Sequence, residues 1–254
     1  MKNNICVICL RPRKVWLDFF ATFTHYKVYF IIDDNAIGYA TEYGDEYPTL
    51  NFIQVKDDKH IRAHFRDIDF PNEILTGWHK ALYYFANENL DFDNTWFIED
   101  DVFFHDENTL RMIDDKYSDS DYLSNSVTEY DGSADVWHWY KISMKYEHPW
   151  YNAMVCAARL SRTLLQKINE YAQTHQTLFF IEAMFPTVAH KNGLICNSPG
   201  EMTHIYYRDH IDLNSIRPDM LYHPMKCVDL YPSMRQFIKD KFFQSETPDT
   251  TSNI

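Results

Sequence analysis

Residues 5–32 read ICVICLRPRKVWLDFFATFTHYKVYFII. Ile5 to Leu10 is an unbroken apolar run of strand length, the pattern of a strand buried on both faces. Val15 to Phe23 follows, with Trp16, Phe19, Phe20 and Phe23 at helical spacing. Lys27 to Ile32 is a second buried strand, and it stops at Asp33-Asp34-Asn35. Strand, helix and strand within about 30 residues open an α/β fold with a parallel sheet. A right-handed crossover then puts a ligand crevice at the carboxyl ends of the strands.

Working outward, residues 35–48 read as loop and Leu50 to Val55 as a shorter strand. Ile74, Leu75, Trp78, Leu82 and Phe85 mark an amphipathic helix from Asn72 to Asn89. Trp96 to Ile98 is another buried strand. Asp106 caps a helix reaching Tyr117, and Tyr122-Leu123 is a short strand. Residues 126–150 are expected to be a strand-and-loop excursion lining a cleft. Ala153 to Ala158 is a strand, and Ser161 caps a helix running to about Tyr171. In Phe179 to His190, Pro186 belongs in a first turn or breaks the segment. Leu194 to Cys196 is the last clear strand, and Thr203 to Lys226 reads as irregular. With no repeat and no linker, the pattern predicts one domain over residues 1–243 and a flexible polar tail over 244–254.

Composition narrows the partners. Of 254 residues, 45% are hydrophobic and 17% aromatic, enough for a sizeable core without disulfides. A net charge of −13 with no basic run excludes nucleic acid as a main partner. A small anionic substrate stays open if a metal supplies positive charge locally. Cys6, Cys9 and Cys156 sit in apolar runs, Cys196 and Cys227 elsewhere, and no pair has zinc-site spacing. They read as reduced thiols in a reducing, cytoplasmic compartment. Met1-Lys2-Asn3-Asn4 leads straight into the strand pattern, so no signal peptide is expected. No apolar run reaches the roughly 18 residues of a membrane span.

The chemistry concentrates in Trp96-Phe97-Ile98-Glu99-Asp100-Asp101-Val102-Phe103-Phe104. Three consecutive carboxylates between apolar blocks would cost several kcal/mol each if buried unpaired. A divalent ion with a diphosphate as its other ligand removes that cost. An acidic turn capping the next helix is the alternative.

The triplet resembles the Asp-x-Asp element of GT-A glycosyltransferases in a Glu-Asp-Asp form, and other segments fall in order around it. The resemblance implies a GT-A-like α/β fold, Rossmann-like, with a mixed, mostly parallel central sheet flanked by helices. It also implies a metal-dependent enzyme taking Mn2+ or Mg2+ and a nucleotide-sugar, UDP-sugar being the usual donor, with a carbohydrate acceptor. Asp101 would be the principal metal ligand, with Glu99 or Asp100 acting through water or on the ribose. Arg11 would approach the nucleotide, Asp33 and Asp34 the uracil or ribose, and His79 and Lys80 the diphosphate. The late segment Tyr222-His223-Pro224-Met225-Lys226 is similar to a closing element in which His223 joins the metal and Lys226 binds phosphate. On the residues alone it can equally be a surface loop, with His204 and His210 as competitors.

Glu182 is an acid inside an apolar stretch. By the same resemblance it is the base that deprotonates the acceptor hydroxyl, which gives inversion. Its plain reading is a carboxylate offsetting a helix dipole, and Glu129, Asp131 and Asp135 are weaker candidates. Trp137, Trp139 and Trp150 could stack on sugars or simply pack. Two rival functions remain. A nucleotidyltransferase should show a Gly-rich phosphate loop, yet no glycine precedes Gly38. A non-catalytic carbohydrate- or nucleotide-binding protein would keep the fold without turnover.

Overall fold

The computed structural model describes residues 2–67, 69, 76–133, 137–208 and 211–243. The opening alternation becomes strand β1 (Asn3–Cys9), helix α1 (Lys14–Phe20) and strand β2 (Lys27–Ile32), as the apolar runs require. Next come α2 (Tyr39–Tyr43), β3 (Leu50–Ile53), α3 (Lys59–Arg62), α4 (Thr76–Asn87), β4 (Asn94–Glu99) and α5 (Glu107–Lys116). The second half holds β5 (Tyr122–Tyr130), β6 (Trp150–Ser161), α6 (Arg162–His175), α7 (Ile181–Lys191), β7 (Cys196–Asn197), β8 (His204–Ile205), β9 (Tyr222–His223) and α8 (Tyr231–Phe243).

Among the described residues seven strands form one sheet in the order β3-β2-β1-β4-β6-β5-β7, and of these β6 alone runs against the rest. The architecture is therefore a mixed, mostly parallel α/β sheet with helices on both faces. One apolar layer packs α1 and α8 on Val7, Phe30 and Ile98. The other packs α4, α6 and α7 on Cys6, Ile31 and Phe97. Adjacent residues of β1 and β4 thus point into opposite layers, which is why both strands read as continuous apolar runs. No helix among the described residues is long and apolar enough to cross a membrane.

Several expectations need correction. Residues 35–48 contain α2. The strand expected at Ala153–Ala158 extends to twelve residues, and Tyr122-Leu123 to nine, because the two strands pair along most of their length. Pro186 neither opens nor breaks its helix but sits at the sixth residue of α7. There it removes the donor for the Glu182 carbonyl, a loss that burial of the whole helix face against β6 outweighs. The stretch Thr203–Lys226 is mostly irregular, yet it contains the parallel pair β8–β9. The start of the expected 72–89 helix, Asp135, His210 and the tail 244–254 lie outside the described residues.

Candidate active site

The sheet's topology fixes the place. From β1 the chain moves one way to β2 and β3, then returns to the other side of β1 as β4. A crevice opens at the carboxyl ends of strands that part in this way. Ile8 pairs with Glu99 at the end of the β1–β4 ladder, so Cys9 and Leu10 lie beside Glu99, Asp100 and Asp101. These residues, Asp33, the first residues of α4 and Lys226 enclose a cleft of about 300 Å³. Gly77 lets α4 come this close, because a Cβ there would stand 2.9 Å from Ile8 Cγ2.

A backbone zipper closes the cleft. Phe103 N–H donates to the Tyr222 carbonyl at 2.8 Å, Tyr222 N–H to that of Phe103 at 2.9 Å, and Met225 N–H to that of Asp101 at 2.8 Å. The segment carrying His223 and Lys226 is therefore held over the acidic turn by main-chain bonds. His223 Nε2 lies 3.1 Å from Asp101 Oδ1 and 3.5 Å from Glu99 Oε2. Its Nδ1 lies 2.5 Å from the Tyr206 carbonyl oxygen. A carbonyl can only accept, so Nδ1 carries a proton and Nε2 faces the carboxylates. Glu99 Oε1 accepts from Trp78 Nε1 at 2.7 Å, and Lys226 Nζ is ion-paired with Asp101 Oδ2.

The electrostatics follow from burial opposed by these pairs. Burial disfavours a charged His223, but the Asp101 carboxylate, with Cys156 and Glu99, more than offsets it and raises the ring to about 12. Burial would likewise raise Asp101, yet His223 and Lys226 hold it below its usual value. Among the described residues Asp100 has no hydrogen-bonded cation, and the charges of Arg13 and Lys226 act on it only weakly. Burial, then the charges of Asp101 and Glu99, push it up to about 6.

The other expected residues fall in separate places. Asp33 lines the cleft, but its carboxylate takes the buried Lys80 ammonium at 2.6 Å, with a second Lys80 bond to its carbonyl at 3.1 Å. Lys80 is thus committed to Asp33. His79 is buried away from the cleft and faces Asp67 at 3.1 Å. Arg11 pairs with Asp34 at 2.8 Å, and Asp34 also accepts from Tyr39 Oη and the Ala36 amide. Those bonds, the Tyr39 hydroxyl foremost, hold Asp34 below its usual value.

Glu182 stands half-buried in the first turn of α7, near enough for its charge to reach Cys156 and Tyr122. Trp139 stacks on Tyr130 at 4.8 Å and touches Trp137 and Trp150, while Trp137 reaches Phe180 at the start of α7. His204 stacks on Tyr222 at 5.0 Å, behind the zipper.

One residue escaped the sequence reading. β4 and β6 pair antiparallel, Phe97 with Ala158 and Ile98 with Ala157. The next step of that register sets Cys156 opposite Glu99. Glu99, Cys156 and His223 each offer a ligand atom, all within 4.8 Å of one another. Only the strand register could have signalled it, since an apolar run hides a cysteine.

No family model matches the sequence, and no curated protein matches it either. Solved structures do match. The galactosyltransferase LgtC, in complex with donor and acceptor sugar analogs, aligns at 11% identity and a TM-score of 0.47, covering 92% of this chain and 95% of that one. The 2-C-methyl-D-erythritol 4-phosphate cytidylyltransferase of Thermus thermophilus aligns at 10% identity and 0.46, covering 83% and 94%. Staphylococcal (S. aureus) TarS with UDP-GlcNAc aligns at 14% identity and 0.42, covering 82% of this chain and 62% of that one.

Proposed function

We propose that the chain is a metal-dependent glycosyltransferase that moves a sugar from a nucleotide-sugar of the UDP class to a hydroxyl of a carbohydrate acceptor. The observation that carries this reading is the imidazole of His223. Its Nδ1 is fixed on a main-chain carbonyl, and its Nε2 stands 3.1 and 3.5 Å from two carboxylate oxygens. Ligands held octahedrally at about 2.1 Å lie about 3 Å apart, so His223 stands from Asp101 and from Glu99 at about the spacing of neighbouring ligands on one divalent ion. The partner of each ligand's second polar atom, Tyr206 for His223 and Trp78 for Glu99, is what such a site needs to stay oriented.

Bound there, Mn2+ or Mg2+ would supply positive charge to the departing diphosphate. The chain's own side chains do the rest. Lys226 lies at the cleft mouth with its side chain 76% exposed, free to turn its ammonium from Asp101 to a phosphate oxygen. Asp33, held by Lys80, and Asp34, held by Arg11, offer acceptors on the nucleoside side. Asp100 is left for the ribose or an ion-bound water. Glu182 takes the acceptor proton, and displacement at the anomeric carbon then inverts it. The loop after β1, Leu10-Arg11-Pro12-Arg13, holds no glycine to wrap a triphosphate, which favours this reading over nucleotidyl transfer.

The test is a panel of nucleotide-sugars incubated with the protein, with and without Mn2+. Release of free sugar and nucleoside diphosphate that needs Mn2+ and is lost in Asp101→Ala is the expected result. Pyrophosphate release from a nucleoside triphosphate and a sugar phosphate, with intact donors, would replace the reading with nucleotidyl transfer. No thermal shift with any nucleotide would leave a binding protein and refute both.

A further inference from the structure

The acidic cleft has two chemically different sides. Toward the opening lie Asp100, Asp101 Oδ2 and Lys226, all hard oxygen or ammonium groups. Toward the sheet lie His223 and Cys156, both nearly enclosed at 5% and 7% exposure. Cys156 is brought there by strand pairing, opposite Glu99 on the neighbouring antiparallel strand, where side chains stand on one face about 5 Å apart. Its sulfur also meets the Met154 thioether at 3.8 Å, two residues along the same face.

We propose that this inner side is a binding position for a thiophilic divalent ion of the zinc class, with Cys156, His223 and Glu99 as ligands and a fourth position open to water. The proposal rests on the reading of the cleft as a divalent-ion site and adds the thiol to it. Ligands held tetrahedrally at 2.0–2.1 Å would place nitrogen and oxygen about 3.4 Å apart, and His223 Nε2 stands 3.5 Å from Glu99 Oε2. The sulfur lies within 4.8 Å of both partners, and rotation about its Cα–Cβ bond is the freedom it has to approach a common centre. The bond forms by loss of the thiol proton to solvent as sulfur joins the metal, with no change of oxidation state.

A thiolate and an imidazole in one set invert the preference of an all-oxygen site. Mg2+ and Mn2+ gain little from sulfur, while zinc and cobalt gain much. The same cleft therefore holds a thiophilic ion more tightly than the ion used with a diphosphate. Zinc would then compete with manganese at shared ligands.

Cobalt is the probe, because a thiolate-to-cobalt bond absorbs in the near ultraviolet and a tetrahedral site gives strong visible bands. Metal-stripped full-length protein titrated with Co2+ should develop both at one equivalent. Cys156→Ser should lose the ultraviolet band and weaken cobalt about a hundredfold, the upper end of what even outer-shell changes cost a metal site. Cys9→Ser, which alters the thiol that lines the open cleft but lies outside the cluster, should keep the band. Should Cys156→Ser fail to fold, Cd2+ bound to the unaltered protein gives its own sulfur charge-transfer band and competes with zinc. Cobalt binding with only weak octahedral bands, unchanged in Cys156→Ser, would overturn the proposal and leave the manganese–nucleotide reading standing. Failure to bind cobalt, together with no Mn2+-dependent nucleotide binding, would overturn both.

Discussion

Asp114 offers a sharp test of how the sheet holds the cleft in shape. It lies on α5, yet its carboxylate is buried at the centre of the molecule and accepts four donors. Oδ1 takes Arg159 at 2.7 Å and Trp96 at 3.1 Å, and Oδ2 takes Asn3 at 2.7 Å and Tyr26 at 2.5 Å. Arg159 is fully enclosed, so this is a buried ion pair that ties β1, β4 and β6 to one helix. Asp114→Asn keeps the shape but replaces one accepting oxygen with a donating amide. Asn3 and Tyr26 then meet a donor, each orphaned group costing about 1–3 kcal/mol, and Arg159 loses its counter-charge. Breaking a buried pair from one side costs about 3–5 kcal/mol, so both routes converge on about 4 kcal/mol. For a chain of this length that lowers the melting temperature by about 10 °C. Urea and thermal unfolding followed by circular dichroism measure it, with the exposed neighbour Asp115→Asn as the control, expected within about 0.5 kcal/mol. An Asp114→Asn protein within about 1 kcal/mol of the parent would refute the reasoning.

Other consequences concern the cleft. Lys226→Ala removes a mostly exposed side chain, so stability should change by about 0.5 kcal/mol or less, while kcat for donor breakdown falls about 100-fold or more; an unchanged kcat would remove Lys226 from the diphosphate's path. Metal affinity should climb with pH. His223, raised to about 12, must lose its proton to bind an ion, so one proton leaves per ion near neutrality and affinity rises about tenfold per pH unit. Below about pH 6 Asp100 is protonated too and the slope steepens. Calorimetry of Mn2+ binding in buffers of different ionisation enthalpy counts those protons, and a count of zero at pH 7 would contradict the assignment.

The parts legible in the sequence were those set by local periodicity. Lys27–Ile32 is a strand with the expected bounds, and Asp106 and Ser161 cap their helices, Asp106 through a full capping box. Their signals lie within a few residues of each other. What stayed hidden depends on pairing between distant segments. The length of β5 comes from β6, and α7 keeps Pro186 because the sheet buries it. The placement of His223 beside Asp101 follows from the Phe103–Tyr222 bridge across more than a hundred residues, which no local pattern carries. Lys80 and His79 were expected at the diphosphate. Helical spacing fixed their turn but could not show that Asp33 and Asp67 would be their partners.

The acidic triplet was expected to be tolerable only with a cation and a diphosphate in place, and the structure revises that premise. Glu99, Asp100 and Asp101 bring three potential negative charges, and His223 and Lys226 bring two positive ones from within the chain. On the proposed function, a divalent ion would therefore not fill an uncompensated hole but exchange with a charge of the same size. His223 must give up a proton, and Lys226 must find another anion. A diphosphate beside the ion is such an anion, so nucleotide binding supplies Lys226 with the partner that metal binding takes away. Each ligand would then lower the cost of binding the other, and that reciprocity would be the thermodynamic form of the metal-dependent nucleotide recognition proposed above. Main-chain bonds join the two halves of the cleft, the acidic turn and the segment carrying His223 and Lys226.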